Sequence, residues 1–423
     1  MEWTRRAFVK RGGLALLSLS LGGTPPFLRR AAGVAGSPPL HGRRRVLVAL
    51  FQRGAMDGLM AVTPIHDPAL AEARPNLFMS LRDAGNGLTD LDGRFALHPS
   101  LAALAPLYRE GRLAVVHGVG SVHKTRSHFD AQDYMEAGTP GVKTTASGWL
   151  NRAAGMLRTE GSPARSVALA EKLPLSLYGD RPAIAVEDLQ SFGVRVPDDP
   201  RLSERLRAGF ASMYAASGKR LARRVGRESF EAIEVLEKTD WSGYRPANGA
   251  AYPDSALGRR MRQVAMLVKA EVGLEVAFTE TGGWDTHVRQ GTRAGAFADR
   301  AADLSTAIAA FWTDLGAYQD DVVLLTMTEF GRTVHQNGSL GTDHGRGSCL
   351  FVLGNRVDGG RVHGTVPERL VRDALEDGRD LPVTTDFRSV FAEVAGKHLR
   401  IDRAHDGALF PGWEGRRLSL LTG

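Results

Sequence analysis

The stretch TEFGRTVHQNGSLGTDHGRGS, Thr328–Ser348, sets Glu329, His335, Asp343 and His344 among five glycines and two arginines. A turn needs glycine and asparagine; it does not need acids and imidazoles. Three other segments carry residues of the same kind. QRGAMDGLMAVTP contains Asp57, and TETGGWDTHVRQ contains Asp285 and His287. HGVGSVHKTRSHFDAQDYME contains His117, His123, Lys124, Arg126, Ser127, His128 and Asp130. Asp, Glu and His without cysteine form a ligand set for zinc or for the harder divalent ions manganese, magnesium and calcium. Two such ions can clamp the attacking and leaving oxygens of a phosphoryl or sulfuryl transfer.

Each candidate has a plainer role beside the chemical one. Ser127 opens the helical-looking SHFDAQDYMEA, where its oxygen can cap the helix. The same position suits a nucleophile or an anion site, and Lys124 and Arg126 can pair with an oxyanion. Asp57 can shape a glycine-rich turn, and Asp285 can cap the segment after it. His287 lies two residues beyond Asp285 and, on extended chain, faces the same side. Glu329 ends a strand-like run, and His344 sits between Asp343 and Gly345. Arg332 and Arg346 either bind substrate anions or neutralise these acids. His117, His123 and His128 are reserve nitrogen ligands among which the sequence does not choose, whereas His98, His398 and His405 read as structural or surface residues.

Short apolar runs precede these clusters. Arg45–Phe51, Arg112–Gly120, Leu274–Glu280, Asp321–Thr328 and Cys349–Gly354 read as buried strands. Amphipathic helices are expected over Pro99–Tyr108, Arg201–Glu237, Ser255–Val272 and Arg293–Tyr318. The alternation predicts a three-layer α/β/α sandwich with a mostly parallel central sheet. In such a sheet the carboxyl ends of the strands share one edge, where ligands bind. Four clusters following four strands therefore converge. Asp57, Asp285, Glu329 and His344 are expected within roughly 10 Å, the span of a two-metal site.

The 423 residues, 43% hydrophobic and 24% charged, describe a globular chain. Of the formal net charge of +7, residues 1–35 hold +5, from six basic residues against Glu2. The remainder is nearly neutral, so a nucleic-acid partner is not expected. TRRAFVKRGGLALLSLSLGG places Arg5 and Arg6 before a short apolar core, too short to span a bilayer. This resembles a twin-arginine export signal, with cleavage after Ala35. The translocase of that route is then a partner, and the destination is periplasmic or extracellular. The rest, residues 36–423, reads as a single domain with no transmembrane segment. Cys349, the single cysteine, reads as a small buried hydrophobe.

RGAMDGL, SHFDAQDYMEAG, GGWDTH, TMTEFGRT, NGSLGTDHG and TDFRSVFAEV, in this order, resemble the bacterial domain of unknown function 1501 family from about residue 43 to about residue 400. That resemblance implies an alkaline phosphatase-like or sulfatase-like α/β/α sandwich with a bimetallic site. Laid on this chain, it makes Asp57 a ligand after the first strand and Ser127 the nucleophile, with Thr125 as a weaker candidate. Asp285, His287 and His344, with Asp343 beside it, form one metal site. The Asp-His that phosphatases of that superfamily carry after a later strand is replaced here by Glu329-Phe330. The second site, Asp57 and Glu329, therefore lacks a nitrogen ligand. Two functions are expected: a metal-dependent hydrolase of phosphate or sulfate esters, on anionic small molecules or polysaccharides, or a non-catalytic binding or envelope-assembly protein. A redox cofactor protein is not expected, since no CxxCH, GxGxxG or cysteine cluster is present.

Overall fold

The computed structural model describes residues 44–81, 87–158, 162–192 and 230–422, with isolated positions between 201 and 212. The export signal lies outside the described residues, as does most of the expected helix Arg201–Glu237, whose last described part, 230–237, lies in a helix that runs on to 238. Among the described residues, twelve strands follow in chain order. They are β1 (Val46–Gln52), β2 (Val62–Pro64), β3 (Thr89–Asp90), β4 (Phe95–Leu97), β5 (Leu113–Gly120) and β6 (Ser166–Leu169). After these come β7 (Ile184–Val186), β8 (Val276–Thr281), β9 (Val322–Met327), β10 (Ser348–Leu353), β11 (Val362–Gly364) and β12 (Thr385–Asp386). Nine of them form the central sheet in the order β11-β5-β10-β9-β1-β8-β6-β7, with β12 also on β5. The others make a small antiparallel sheet, β2-β4-β3.

Strand β1 shows why the sheet is covered on both sides. All seven of its residues are buried, and the alternation of side chains sends them to two cores. Val46, Val48 and Leu50 pack with the helices Ala256–Lys269 and Ala296–Leu315 through Met261, Leu304 and Ile308. Leu47, Ala49 and Phe51 pack with the helices Trp149–Met156 and Phe387–Glu393 through Trp149, Leu150 and Phe391. The result is the expected three-layer sandwich. Among the described residues, no helix is long and apolar enough to cross a membrane. Cys349 is buried in the apolar core beside Gly58.

All five strands expected from the sequence are present, within one or two residues at each end. One runs the other way. β10, the CLFVLG run, is antiparallel to both β5 and β9, while β1, β8 and β9 are mutually parallel. The reversal matters for the site. Because β10 enters the sheet from the edge at which β9 leaves it, the whole connection Thr328–Gly347 stays on the carboxyl-end side.

Candidate metal centre at the sheet's carboxyl edge

That connection folds back on itself as a short antiparallel ladder. Gly331 N donates to Arg346 O, Gly345 N to Gly331 O, and Thr333 N to Asp343 O, at 2.8–2.9 Å. Its glycines are there for space. A Cβ on Gly331 would lie 1.8 Å from Gly347 O, and one on Gly345 would lie 2.4 Å from the Arg332 carbonyl carbon. The ladder sets His344 opposite Arg332. After β8, the fully buried Trp284 packs edge-on against Phe297 and anchors the loop that carries Asp285 and His287. Gly54, after β1, has a φ of +114°, and a side chain there would meet Asp285 N at 2.7 Å. After β5, the helix His128–Ala137 starts from an extended Ser127 and ends at the left-handed Gly138. It presents His128 in its first turn.

These segments bring three imidazoles and a carboxylate together. His128 Nε2 lies 3.0 Å from His344 Nε2, and His287 Nε2 lies 2.8 Å from the same atom. Asp285 Oδ1 is 3.4, 3.0 and 3.2 Å from the Nε2 atoms of His128, His287 and His344 respectively. His128, Asp285 and His344 each offer a ligand atom within 4.8 Å of the others. Donors bound tetrahedrally at zinc-like distances stand about 3.3 Å apart, close to the spacing of this triangle. Phe330, which cannot be a ligand, is the buried floor, with its ring 4.9 Å from that of His128 and 5.2 Å from that of His344.

The opposite ring nitrogens are all engaged. His344 Nδ1 is 2.8 Å from Arg126 O. A carbonyl only accepts, so Nδ1 carries the proton and Nε2 the lone pair. His128 Nδ1 meets Glu329 Oε1 at 2.8 Å, and His287 Nδ1 meets Asp343 Oδ1 at 2.9 Å. Burial, with only partial relief from Arg126 O, lowers the His344 pKa and favours its neutral form. The Glu329 hydrogen bond raises that of His128. Burial alone would raise the Asp285 carboxyl, but the Arg332 guanidinium outweighs it and holds the acid ionised. Two Nε2 lone pairs facing each other at 3.0 Å beside a carboxylate require a proton or a cation between them. The donor set fits a divalent ion.

The other sequence candidates are placed differently. Asp57 does not join the cluster. It caps the short helix Gly58–Ala61 through Met60 N and is locked to Arg74 at 2.8 Å, both side chains being buried. Gln290 donates to Asp57 Oδ2 and accepts from Thr286 and Thr342, so Asp57 belongs to a polar layer beneath the site. The cations are engaged as well. Arg126 pairs with Asp380 and Asp377, and Lys124 with Glu376 and Asp377. Arg332 is fully buried and holds Asp285 Oδ1 at 2.6 Å, and Arg346 binds Glu376 and His123 O. Glu329 is fully buried; its Oε1 accepts from Gly54 N, His128 and Gln132, while Oε2 meets no donor. Ser127 occupies the N-cap position, yet its hydroxyl makes no capping bond and is exposed.

Of the reserve histidines, the fold brings His128 to the cluster. His117 is wholly buried between Val62 O and Gly118 N, and His123 packs on Tyr134. Three supporting residues escaped the sequence reading. Gln132 bridges Glu329 and Arg53, Asn337 donates to Asp343 Oδ1 and His287 O, and Arg74 neutralises Asp57. Gln132 left a signal: it lies four residues after His128, on the same helix face. Asn337 and Arg74 left none, because glycine-rich turns and exposed-looking arginines are common.

Fold and site together define an α/β/α sandwich protein with a histidine–aspartate cluster at the carboxyl edge of its sheet. The chain belongs to the family described as protein of unknown function (DUF1501), whose model matches residues 45–409. No curated protein matches it. Among solved structures it is similar to the C-terminal periplasmic domain of EptC from Escherichia coli, in complex with zinc. That likeness has 12% identity and a TM-score of 0.33, covering 78% of this chain and 77% of that one. A sulfatase from a Pseudoalteromonas species is similar at 10% identity and a TM-score of 0.31, over 77% and 66% of the two chains. Thermus thermophilus alkaline phosphatase is similar at 17% identity and a TM-score of 0.25, over 70% and 64%.

Proposed function

We propose that this protein is an exported metal-dependent hydrolase of phosphate or sulfate esters, built around one ion at His128, His287, His344 and Asp285. The observation that carries the reading is the facing pair of Nε2 atoms 3.0 Å apart, both with Nδ1 already engaged, beside Asp285. A nitrogen-rich set suits zinc or manganese better than magnesium or calcium, which favour oxygen. A second ion on Asp57 and Glu329 is not supported, because Arg74 and His128 engage those carboxylates. A bound divalent ion would polarise the ester and lower the pKa of a water. The chain's own contribution is Ser127, whose hydroxyl precedes His128 in sequence, is exposed and is left unused as a cap; it is the nucleophile in this reading.

The test is metal analysis of the purified mature chain, followed by an ester screen with zinc or manganese added. One ion per chain and turnover of a phosphate or sulfate ester are expected. Ala at His344 should remove both, since the ion needs that neutral imidazole. Ala at Ser127 should abolish turnover and keep the ion. Protein that never holds metal would overturn the reading.

A second reading, a non-catalytic binding protein, is favoured by one observation: Lys124 and Arg126 are paired with acids rather than open to an oxyanion. Metal without turnover of any ester would support it. Export by the twin-arginine route rests on Arg5-Arg6 before the apolar core. Changing both to Lys should strand the precursor in the cytoplasm; wild-type levels outside it would reject that route.

A further inference from the structure

We propose that Glu329 and Asp343 are positioning residues rather than metal ligands. Each accepts the Nδ1–H of one imidazole and thereby fixes the tautomer that turns Nε2 toward Asp285. This rests on the metal reading above and assigns roles within that same site.

The geometry separates the two kinds of carboxylate. Asp285 Oδ1 lies 3.0–3.4 Å from three Nε2 atoms. Glu329 and Asp343 instead meet Nδ1, the far side of a ring, at 2.8 and 2.9 Å. One neutral imidazole has one proton, so an acceptor at Nδ1 leaves the lone pair at Nε2. His344 obtains the same result from Arg126 O. Three rings thus reach one tautomer through three different acceptors, as ligating histidines commonly do.

Each acceptor is itself held. Gly54 N and Gln132 Nε2 donate to the same Oε1 that faces His128, and Arg53 fixes Gln132 from behind. Asn337 donates to Asp343 Oδ1 and to His287 O, tying acid and ring to one turn. The two acids differ in exposure: Glu329 is buried, whereas the Asp343 side chain is 53% exposed. Replacing Asp343 therefore leaves the core untouched.

The test uses the mature chain titrated with cobalt(II), whose visible spectrum reports its ligands. Wild type should bind one ion. Asp343→Ala and Glu329→Leu, which remove the acceptor oxygen, should also reach one ion at saturation, with unchanged band positions and a Kd raised about 10–100-fold, the cost of losing such a partner. Shifted bands or a lost equivalent at saturation would show a direct ligand, for Glu329 through its unpartnered Oε2, and would overturn the proposal. So would an unchanged Kd in the Asp343 variant, which guards against the Glu329 variant failing to fold. Wild type that binds no cobalt would overturn the metal reading itself, and with it this assignment.

Discussion

At the scale of single residues, the acids of this site have been sorted by what stands next to them. Asp57, Asp285, Glu329 and Asp343 look interchangeable in a sequence. In the fold each has a different neighbour: Arg74, three Nε2 atoms, His128 Nδ1 and His287 Nδ1. Residue type was legible, and so was convergence for most of the candidates. Partner identity was not, because Arg74 and Gln132 contact the acids only once distant segments are packed. A consequence separates the structural acid from the ligand. Removing one partner of a buried pair leaves an uncompensated charge, so Arg74→Met should cost about 3–5 kcal/mol of stability by denaturant titration. Replacing Asp57 by Leu in the same chain should recover much of that loss, and bound metal should be unchanged. Loss of metal from the double variant would return Asp57 to the ligand set.

At the scale of elements, strands announced themselves by continuous apolar runs, and their direction did not. Nothing in CLFVLG marks it as antiparallel; the direction is set by the connection before it and by its two neighbours, β5 and β9. The glycines of that connection were legible as a turn. Their actual use, close approach of two backbones, appears only when Gly331 faces Gly347. Gly331→Ala should therefore push the ladder apart and move His344. A loss of about 1–3 kcal/mol is expected from such overpacking, together with weaker metal binding by calorimetry. Gly338, beside which a Cβ would meet nothing, is the control. Equal effects at both positions would show that chain flexibility, rather than space, sets the requirement.

At the scale of the whole molecule, three histidines away from the site make the fold sensitive to acid. Burial lowers the pKa of His98, His117 and His398 to about 4 each. His98 and His117 also accept a backbone N–H on Nδ1 while Nε2 faces a carbonyl, an arrangement that has no room for a second proton. An unfolded histidine titrates near 6.5, about the ordinary value. Between those pH values the unfolded chain binds more protons, so stability is full above about 6.5 and falls as pH drops toward 4. Three protons give a slope of at most about 4 kcal/mol per pH unit. The urea midpoint should fall steeply from pH 6.5 to pH 4.5 and stay level between 7 and 8; a flat midpoint down to pH 4.5 would reject this account. The position of β1 bears on time as well as on stability. Its partners are β8 and β9, so Leu47 waits for Val276 and Val46 for Val322. At ordinary rates of synthesis that wait is on the order of tens of seconds, during which VLVALFQ, wholly buried in the end, has no strand to pair with. The ribosome must release most of the chain before the centre of the sheet closes, and His128, made early, meets His344 only afterwards. A full set of ligands therefore exists only late in synthesis, once His344 has followed β9, and a chain cut short before β9 should aggregate rather than fold.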